Sequence, residues 1–375
     1  MNEKNHHLSE LLGIVQKEKP TKRNNYDVVS IPEFFTQFQA EALNAERRVW
    51  LETMYALPSH FTDLLAHTLI ESAKNDLDVR LYTDGIQRVH YLAGVVASKL
   101  FGSKTERDYQ HAAALNMQQS FDASGVQYIE TREFTKKNWL IFSLLRNHFK
   151  LAVVDNTLWL GGLNAGKESD YNRIDYMMRF DSKELVDFIV EVVNSQSELT
   201  TDISKQIGAE TVLVDRGFPG ESVIYDTLLK QLADINNPKT TKVTLLSPWV
   251  PDGKLLDMLA QLQAQGAEVK VLTSYHPLSL SPVGIYALVK NYNRLLMKLK
   301  RKKLQLLETP LEVHGKMVLI EEAERSVGTI TTHNYVSQGI KMGTTEIGIS
   351  SVDPDFCSSC KDYLQKVESV SEMST

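Results

Sequence analysis

Two histidines, each followed two residues later by a lysine, are the part of the sequence best suited to chemistry. The pairs are His148 with Lys150 and His314 with Lys316. Alternate residues of a β-strand point to the same face, so each pair would present an imidazole beside an ammonium group. An imidazole can act as a nucleophile or a proton carrier, and an ammonium group holds anions. The two pairs therefore predict a site for attack on a negatively charged group.

The spacing continues beyond each pair in the same way. An acid follows each lysine, Asp155 in the first stretch and Glu321 in the second, and an asparagine closes each stretch, Asn164 and Asn334. One such pattern is expected by chance roughly 0.007 times in a chain of this composition. Two copies argue against scattered polar residues in two unrelated hairpins and favour an internal duplication.

We expect each stretch to form a β-hairpin. A hairpin centred on residue 156, in the turn sequence Asp155-Asn156, sets Asn164 opposite His148. It also sets Gly162 opposite Lys150. The second stretch follows the same rule about residue 324, which sets Asn334 opposite His314 and Thr332 opposite Lys316. Each hairpin would then gather an imidazole, an ammonium and a carboxamide on one face.

These stretches resemble the paired histidine-lysine-aspartate motifs of the phospholipase D superfamily. The first copy matches fully and ends in Gly161-Gly162-Leu163-Asn164, whereas the second has Glu321 for the aspartate and ends in Thr331-Thr332-His333-Asn334. Both substitutions keep the charge and the hydroxyl. The resemblance is closest in character to bacterial cardiolipin synthases, through the sequence SPWVPDGKLLDML. It implies an α/β fold of two pseudo-symmetric lobes with mixed sheets flanked by helices and the active site at their interface.

Hydrophobic periodicity supports the duplication, because a strand, a helix and a second strand occur in the same order in each half. These elements are expected at residues 48–55, 60–74 and 78–84, and again at 242–248, 254–265 and 268–274. We divide the chain into a polar N-terminal arm (1–29), a first repeat (30–194), a linker (195–207), a second repeat (208–370) and a tail (371–375). The arm is either weakly ordered or a single docking helix, and residues 85–140 are expected to be mostly helical.

The resemblance also implies roles for the motif residues. One imidazole Nε2 would attack phosphorus and form a phosphohistidine, while the other would protonate the departing alkoxide. We assign His148 as the nucleophile and His314 as the acid. The phosphate oxygens would be bound by Lys150, Lys316, Asn164 and Asn334, with Thr332 as a further donor. Asp155 and Glu321 would be structural.

Two further acids lie at similar distances after the closing asparagines. Asp175 and Glu346 would each accept the Nδ1 proton of an active-site histidine, by the same resemblance. The alternative is that they are solvated strand residues. No spare cluster of carboxylates or histidines suggests a divalent ion, so we expect no metal and no cofactor.

Composition limits the class of protein. The chain has 375 residues, of which 42% are hydrophobic and 23% charged, which fits a soluble globular protein. It has neither a signal-peptide core nor an apolar run of about 18 to 20 residues, so a cytoplasmic protein is expected. The net charge of −6 argues mildly against a dedicated nucleic-acid binder. Cys357 and Cys360 are too few for a zinc site, and we expect helix packing rather than a redox role.

The substrate is indicated by residues 281–309, which combine apolar residues at helical spacing with seven basic ones. A basic amphipathic helix fits an anionic membrane surface, and the alternative is a core helix with a solvated basic face. The expected function is a phosphatidyltransferase that acts on phospholipid and binds peripherally, on the inner face of the membrane. A phosphodiesterase or endonuclease on nucleic acid is the alternative. An inactive binding module is disfavoured because both His-Lys pairs are present. The acceptor alcohol and the oligomeric state stay open.

Overall fold

The computed structural model describes residues 26–56, 59–85, 119–132, 146–166, 173–196, 200–274, 302 and 304–373. Two mixed β-sheets, of seven and nine strands, form the framework of this part of the chain. Each sheet is built by one half of the sequence and is packed against helices. The predicted fold class, two α/β lobes with mixed sheets, is therefore confirmed.

The first lobe places three parallel strands beside an antiparallel meander. Its strands are β1 (Tyr26–Ser30), β2 (Arg48–Thr53), β3 (Asp78–Asp84), β4 (Gln127–Thr131), β5 (Leu151–Val154), β6 (Thr157–Gly161) and β7 (Tyr176–Asp181), and its helices are α1 (Ile31–Leu43), α2 (His60–Ala73) and α3 (Lys183–Ser195). The strand order is β1-β7-β6-β5-β2-β3-β4. Strands β2, β3 and β4 are parallel, and the remaining pairs are antiparallel.

The second lobe repeats this plan and adds strands at both edges. Its strands are β8 (Ile203–Ile207), β9 (Glu210–Arg216), β10 (Lys242–Leu246), β11 (Glu268–Ser274), β12 (Gln305–Thr309), β13 (Met317–Glu321), β14 (Ser326–Thr331), β15 (Thr345–Ser351) and β16 (Glu372–Met373). Its helices are α4 (Val223–Ala233), α5 (Gly253–Ala264), α6 (Ser337–Met342) and α7 (Pro354–Ser369), with a 3-10 turn at Pro238–Thr240. The order β12-β11-β10-β13-β14-β15 matches β4-β3-β2-β5-β6-β7 of the first lobe.

Local sequence explains where the helices begin. Ser30 and Glu33 form a capping box at the start of α1, in which each side chain accepts the backbone N–H of the other. Asp353 caps α7 by accepting the N–H groups of Asp355 and Phe356. Both helices carry a proline in the first turn, where no hydrogen bond is lost.

The largest hydrophobic core joins the two lobes. It contains side chains from the central strands of both sheets, such as Phe149 and Met178 from the first lobe and Met317 and Ile347 from the second. Helix α7 closes this core with Phe356, Cys357, Cys360, Leu364 and Val367. Burial raises the pKa of Cys357 to about 11, so these thiols pack as apolar groups. One smaller core lies on the outer face of each sheet.

Both motif hairpins form, but their register differs from the prediction by one residue. Strands β5 and β6 pair Val154 with Thr157, which leaves Asp155-Asn156 as a two-residue turn. The centre of such a turn lies between two residues, whereas the prediction placed it on residue 156. Lys150 accordingly bonds through its carbonyl to the N–H of Gly161. The second hairpin has a four-residue turn between Glu321 and Ser326, with the same consequence.

The division into domains stays a prediction, and three of its connecting segments contain strands. The arm predicted at 1–29 contains the start of β1, the linker at 195–207 contains β8, and the tail at 371–375 contains β16. Residues 85–140, predicted mostly helical, contain the parallel strand β4. Edge strands such as β8 and β16 are held by backbone bonds to a neighbour, so their sequences need little periodicity of their own.

Asp155 fixes the first hairpin to the rest of its lobe. Its backbone is left-handed, with φ of 50°, and its carboxylate accepts the N–H groups of Glu46, Arg47 and Arg48 at 2.9, 2.9 and 3.1 Å. Glu321, the acid of the second motif, instead pairs with Lys361 at 2.6 Å near the surface. Asp155 therefore holds three backbone N–H groups in place, whereas Glu321 makes an ion pair near the surface.

Replacing Asp155 by alanine should lower the free energy of unfolding by about 2 to 3 kcal/mol, because three N–H groups lose their acceptor and alanine is strained at positive φ. Asparagine tolerates this backbone and keeps an acceptor, so Asp155→Asn should cost about 1 kcal/mol. Glu321→Ala is the matched control and should cost no more than about 1 kcal/mol. Urea denaturation measures all three, and equal losses for the two alanine variants would contradict this account.

Candidate active site

The two histidines lie at the interface, and each contacts a carboxylate from the opposite repeat. His314 Nδ1 is 2.7 Å from Asp175 Oδ2, and His148 Nδ1 is 2.9 Å from Glu346 Oε1. Asp175 directly precedes β7 of the first lobe, and Glu346 lies in β15 of the second. The structure thus brings the four predicted residues together as two crossed pairs. Neither repeat contains a complete pair by itself.

The backbone makes the same exchange between repeats. The N–H of His314 donates to the carbonyl of Ile174 at 2.9 Å, and the N–H of His148 donates to the carbonyl of Thr345 at 2.8 Å. Ile174 and Thr345 each directly precede one of the acids. Each histidine is therefore aligned with its acid by main-chain bonds as well as by the side-chain contact.

The two lysines are buried beside their histidines, each about 1% exposed. Lys150 Nζ donates to the carbonyl of His148 at 3.0 Å, and Lys316 Nζ donates to the carbonyl of His314. Burial and the neighbouring charge of Lys150 lower the pKa of Lys316 to about 7, against the opposing effect of Asp175 and Glu346. The pKa of Lys150 is also lowered by burial. A bound anion would bring negative charge next to both lysines and would favour their charged ammonium form.

Burial also determines the ionisation of the crossed pairs. It lowers the pKa of His314 to about 3, helped by repulsion from Lys316, and the attraction of Asp175 does not compensate. The pKa of His148 is lowered chiefly by burial as well. Burial alone would raise the pKa of each acid, yet the neighbouring histidine and lysine hold both pKa values below their ordinary range. At neutral pH each site is therefore a neutral imidazole beside a carboxylate.

This ionisation fixes the tautomer. The carboxylate of Asp175 is hydrogen-bonded to His314 Nδ1 and holds the imidazole proton there, which leaves the lone pair on Nε2. At His148 the carboxylate of Glu346 lies 2.9 Å from Nδ1 and attracts the proton to the same atom, although this contact does not have hydrogen-bond geometry. Both Nε2 atoms are therefore nucleophilic in the free protein. Either one can become a proton donor only after it takes up a proton.

The motif asparagines have hydrogen-bonding capacity left for a ligand. Asn164 is buried, and its Oδ1 has no hydrogen-bond partner. Asn334 is partly exposed, and its backbone carbonyl accepts the hydroxyl of Ser247 at 3.2 Å. Both side chains follow the hairpins that carry the lysines.

Thr332 does not occupy the predicted place of a phosphate donor. Its hydroxyl is fully buried and bonds to Glu346 Oε2, and its oxygen accepts the N–H of Ile347 at 3.0 Å. Gly162 is the corresponding residue of the first repeat, where a Cβ would lie 2.0 Å from Asp175 Oδ1. This position therefore supports the acid in both repeats: glycine leaves space for the aspartate, and threonine bonds to the glutamate.

His333 is a residue of the site to which the sequence assigned no role. It is buried, and its Nδ1 accepts the N–H of Tyr335 at 3.0 Å. Tyr335 has a left-handed backbone, with φ of 54°, which is strained for an aromatic residue. His333 thus holds the turn that directly follows Asn334. The only signal for it in the sequence is its position inside the second motif.

The predicted membrane-binding segment, 281–309, lies mostly outside the described residues. Lys302 is described and pairs with Asp257 at 2.7 Å. Residues 305–309 form β12, whose side chains are mostly buried in the sheet, so this end of the segment is not a surface helix. Across the described ranges, His, Cys, Asp and Glu side chains nowhere gather in the groups of three that could hold a metal ion. No helix in those ranges has the length and apolarity to cross a membrane.

Comparison with known proteins finds solved structures of similar architecture. No protein-family model and no curated protein matches the sequence. Among solved structures, phosphatidylserine synthase from Haemophilus influenzae Rd KW20 superimposes with a TM-score of 0.68, over 98% of this chain and 92% of that chain, at 13% sequence identity. The chain shares the two-lobed α/β fold of that protein. A polyphosphate kinase from Porphyromonas gingivalis matches with a TM-score of 0.58, over 91% of this chain and 50% of that chain, at 10% identity. At such identities these likenesses concern the fold alone.

Tungstate, an anion with the shape of phosphate, should bind less tightly as the pH rises through about 7, because Lys316 loses its charge there. Between pH 6.5 and 8.5 the dissociation constant should rise about 25-fold, since a group with a pKa of about 7 falls from about three-quarters charged to about 3% charged over that range. Lys316→Met has no charge to lose and should bind weakly at both pH values. Titration calorimetry measures this, and a pH-independent affinity in the unsubstituted protein would contradict the assignment.

Proposed function

We propose that this protein is a phospholipase D-type phosphatidyltransferase or phosphodiesterase that acts on phospholipid, in the manner of a cardiolipin synthase. The observation that carries the proposal is the crossed arrangement of two neutral imidazoles, each backed by a buried carboxylate and each beside a buried lysine. Two such imidazoles supply the nucleophile and the proton carrier that a phosphodiester requires.

In the first step, His148 Nε2 forms a bond to phosphorus while the bond from phosphorus to the departing alkoxide breaks. His314, protonated at Nε2, gives its proton to that alkoxide. The free imidazole of His314 is neutral, with a pKa of about 3, but the negative charge of a bound phosphodiester favours the imidazolium. Lys150 and Lys316 stabilise the charge on the phosphate oxygens in the transition state, together with the carboxamides of both motifs.

In the second step, His314 Nε2 takes the proton of an incoming hydroxyl, whose oxygen forms the new bond to phosphorus and releases His148. Water as the acceptor gives hydrolysis, and an alcohol gives transfer. Asp175 and Glu346 keep the Nδ1 proton of each ring in place during both steps.

Phospholipid is favoured over nucleic acid by the acidic character of the chain, with net charge −6 and a pI of about 6.0. The likeness in fold to a phosphatidylserine synthase supports the same choice, since that protein is named for a phospholipid product. We further propose that the part of residues 281–309 that precedes β12 binds the protein to an anionic membrane surface on the cytoplasmic side, by the basic side chains noted in the sequence.

Removing either histidine should abolish turnover. His148→Ala and His314→Ala should each reduce kcat by at least about a thousandfold, and the double variant should be little worse, because the two rings act as one unit. With a substrate whose leaving group needs no proton, His314→Ala should accumulate the phosphoenzyme, detectable as acid-labile phosphate on the protein. His67→Ala, which removes a largely exposed histidine, is the control and should leave kcat unchanged. Near-native turnover in either single variant would falsify the two-histidine mechanism.

The substrate class is tested with a panel of phospholipid vesicles, single-stranded DNA and RNA, without added metal, with products identified by mass spectrometry. Charge reversal at Lys300, Arg301 and Lys303 should weaken sedimentation with anionic vesicles and raise KM for vesicular lipid. Turnover of a short soluble phosphodiester should stay within about twofold, because each basic residue contributes about 1 kcal/mol to membrane binding and none to chemistry. Cleavage of nucleic acid but of no phospholipid would replace the lipid proposal with the nuclease one.

A further inference from the structure

A buried polar cluster lies directly behind His148 and takes no part in the reaction described above. Its members are Glu52 near the end of β2, Asp84 at the end of β3, and Asn147, which precedes His148 in the chain. They are about 2%, 1% and 3% exposed. Such groups are costly to bury, so a structure retains them where they are well bonded or serve a function.

Asn147 is the centre of this cluster. Its side-chain Nδ2 lies 2.6 Å from Glu52 Oε1 and 2.9 Å from both Thr131 Oγ1 and Gln196 Oε1. Its Oδ1 accepts the N–H of Phe149 at 3.1 Å. The carboxamide therefore clamps the backbone on the far side of His148 and anchors it to β2, β4 and the end of α3.

The backbone before His148 is held equally firmly. Asp84 accepts the backbone N–H of Asn147 at 2.6 Å and pairs with Arg146 at 3.1 Å. The N–H of Thr345 donates to the carbonyl of Arg146 at 2.7 Å. Residues 146–149 are thus fixed on both sides of the histidine.

The second repeat lacks this cluster. The strand registers place Leu246 where the first repeat has Glu52, because Leu246 pairs with Met317 and Glu52 pairs with Leu151. By the same pairing Ser274 corresponds to Asp84, and Val313 directly precedes the second histidine. Leu246 and Val313 are fully buried. The fold is therefore built with apolar side chains in one lobe, so the polar set in the other is not a requirement of the architecture.

Glu52 is the member whose burial is least compensated. Its Oε1 accepts bonds from Asn147 and from Gln196 Nε2 at 3.1 Å, but its Oε2 has no hydrogen-bond partner. Burial, with a smaller contribution from the charge of Asp84, raises the pKa of Glu52 to about 7 against the opposing effect of its two hydrogen bonds. Among the residues that the structure describes, the other ionisable groups facing the cluster are Arg146, Arg132, Lys150 and Tyr82.

We propose that Glu52 and Asn147 are positioning residues for His148, and that they hold its imidazole in the orientation needed for in-line attack on phosphorus. The inference rests on the proposed function and deepens it. A nucleophile must approach along the axis of the departing bond, and small displacements of a reacting atom cost large factors in rate. The cluster gives this rigidity to one histidine alone, which agrees with the assignment of His148 as nucleophile.

The test measures formation of the phosphoenzyme directly, with bis(p-nitrophenyl) phosphate as substrate. Its nitrophenolate leaves without protonation, so the burst of nitrophenolate reports attack by the nucleophile and not the action of the acid. Glu52→Leu and Asn147→Val introduce the apolar character found in the second repeat. Both should lower the burst rate by about ten- to a hundredfold with KM changed less than about twofold.

Glu52→Gln keeps the shape and one acceptor oxygen, so it should retain the burst rate within a few-fold. The burst rate of the unsubstituted protein at saturating substrate should rise with pH through about 7, as Glu52 becomes the stronger acceptor on ionisation. Glu52→Gln should remove that dependence, whereas Asp84, Arg146, Arg132, Tyr82 and the two motif lysines remain to titrate in both proteins. Glu308→Gln, a buried glutamate of β12 in the other lobe, is the matched control and should leave both the burst and its pH profile unchanged.

The possible outcomes distinguish a failure of the proposed function from a failure of the positioning role alone. If the unsubstituted protein forms no phosphoenzyme with any phosphodiester, the proposed function fails and this inference fails with it. If it reacts, and Glu52→Leu or Glu52→Gln keeps the burst rate together with its pH dependence, the positioning role alone is wrong. A loss in Glu52→Leu matched by an equal loss in Glu308→Gln would likewise overturn the positioning role, because it would reflect a general effect of changing a buried acid.

Discussion

The exchange of contacts between the two repeats is the constraint on which the rest of the structure depends. Each histidine takes its carboxylate and its main-chain acceptor from the other lobe. The shared core enforces this arrangement, since the hydroxyl of Tyr176 in the first lobe donates to the carbonyl of Lys316 in the second at 2.7 Å. Gly315 lies against the same ring, where a Cβ would contact it at 3.0 Å. The lobes therefore cannot separate without dismantling both acid-imidazole pairs at once.

Electrostatics gives this interface its chemical character. Burial removes the charge from both imidazoles and weakens the charge on both lysines, whereas the two acids stay ionised. Burial outweighs the attraction that Asp175 and Glu346 exert on the charge of Lys316. In the proposed reaction, a bound phosphodiester would bring further negative charge to both lysines and would favour protonation of one histidine. The proton donor would then form on substrate binding, so the free site would need no charged imidazole.

The sequence was informative wherever spacing along the chain determines geometry. The alternation of His148 and Lys150 on a strand and the recurrence of strand, helix and strand in both halves are local properties, and they led to the correct fold class. The register of the hairpins was wrong because it depends on whether a turn has an even or an odd number of residues. The crossing of Asp175 and Glu346 between repeats could not be predicted, because it arises only when the lobes pack. Glu52 gave no signal at all, since one acid in a strand looks like a solvated residue.

In the proposed reaction the two histidines of a pseudo-symmetric site have different roles, and the repeats differ in the residues around them. Two identical halves would present two identical imidazoles, and the substrate alone would decide which one attacks. Duplication within a single chain lets each half change separately. The second half has Glu346 where the first has Asp175. The hydroxyl of Thr332 bonds to Glu346, whereas the absence of a side chain at Gly162 leaves space for Asp175. The first half has surrounded His148 with bonded polar groups, where the second has Leu246 and Val313. Changes of this kind leave the sheets untouched, because they occur at the ends of strands whose pairing is set by the shared apolar core.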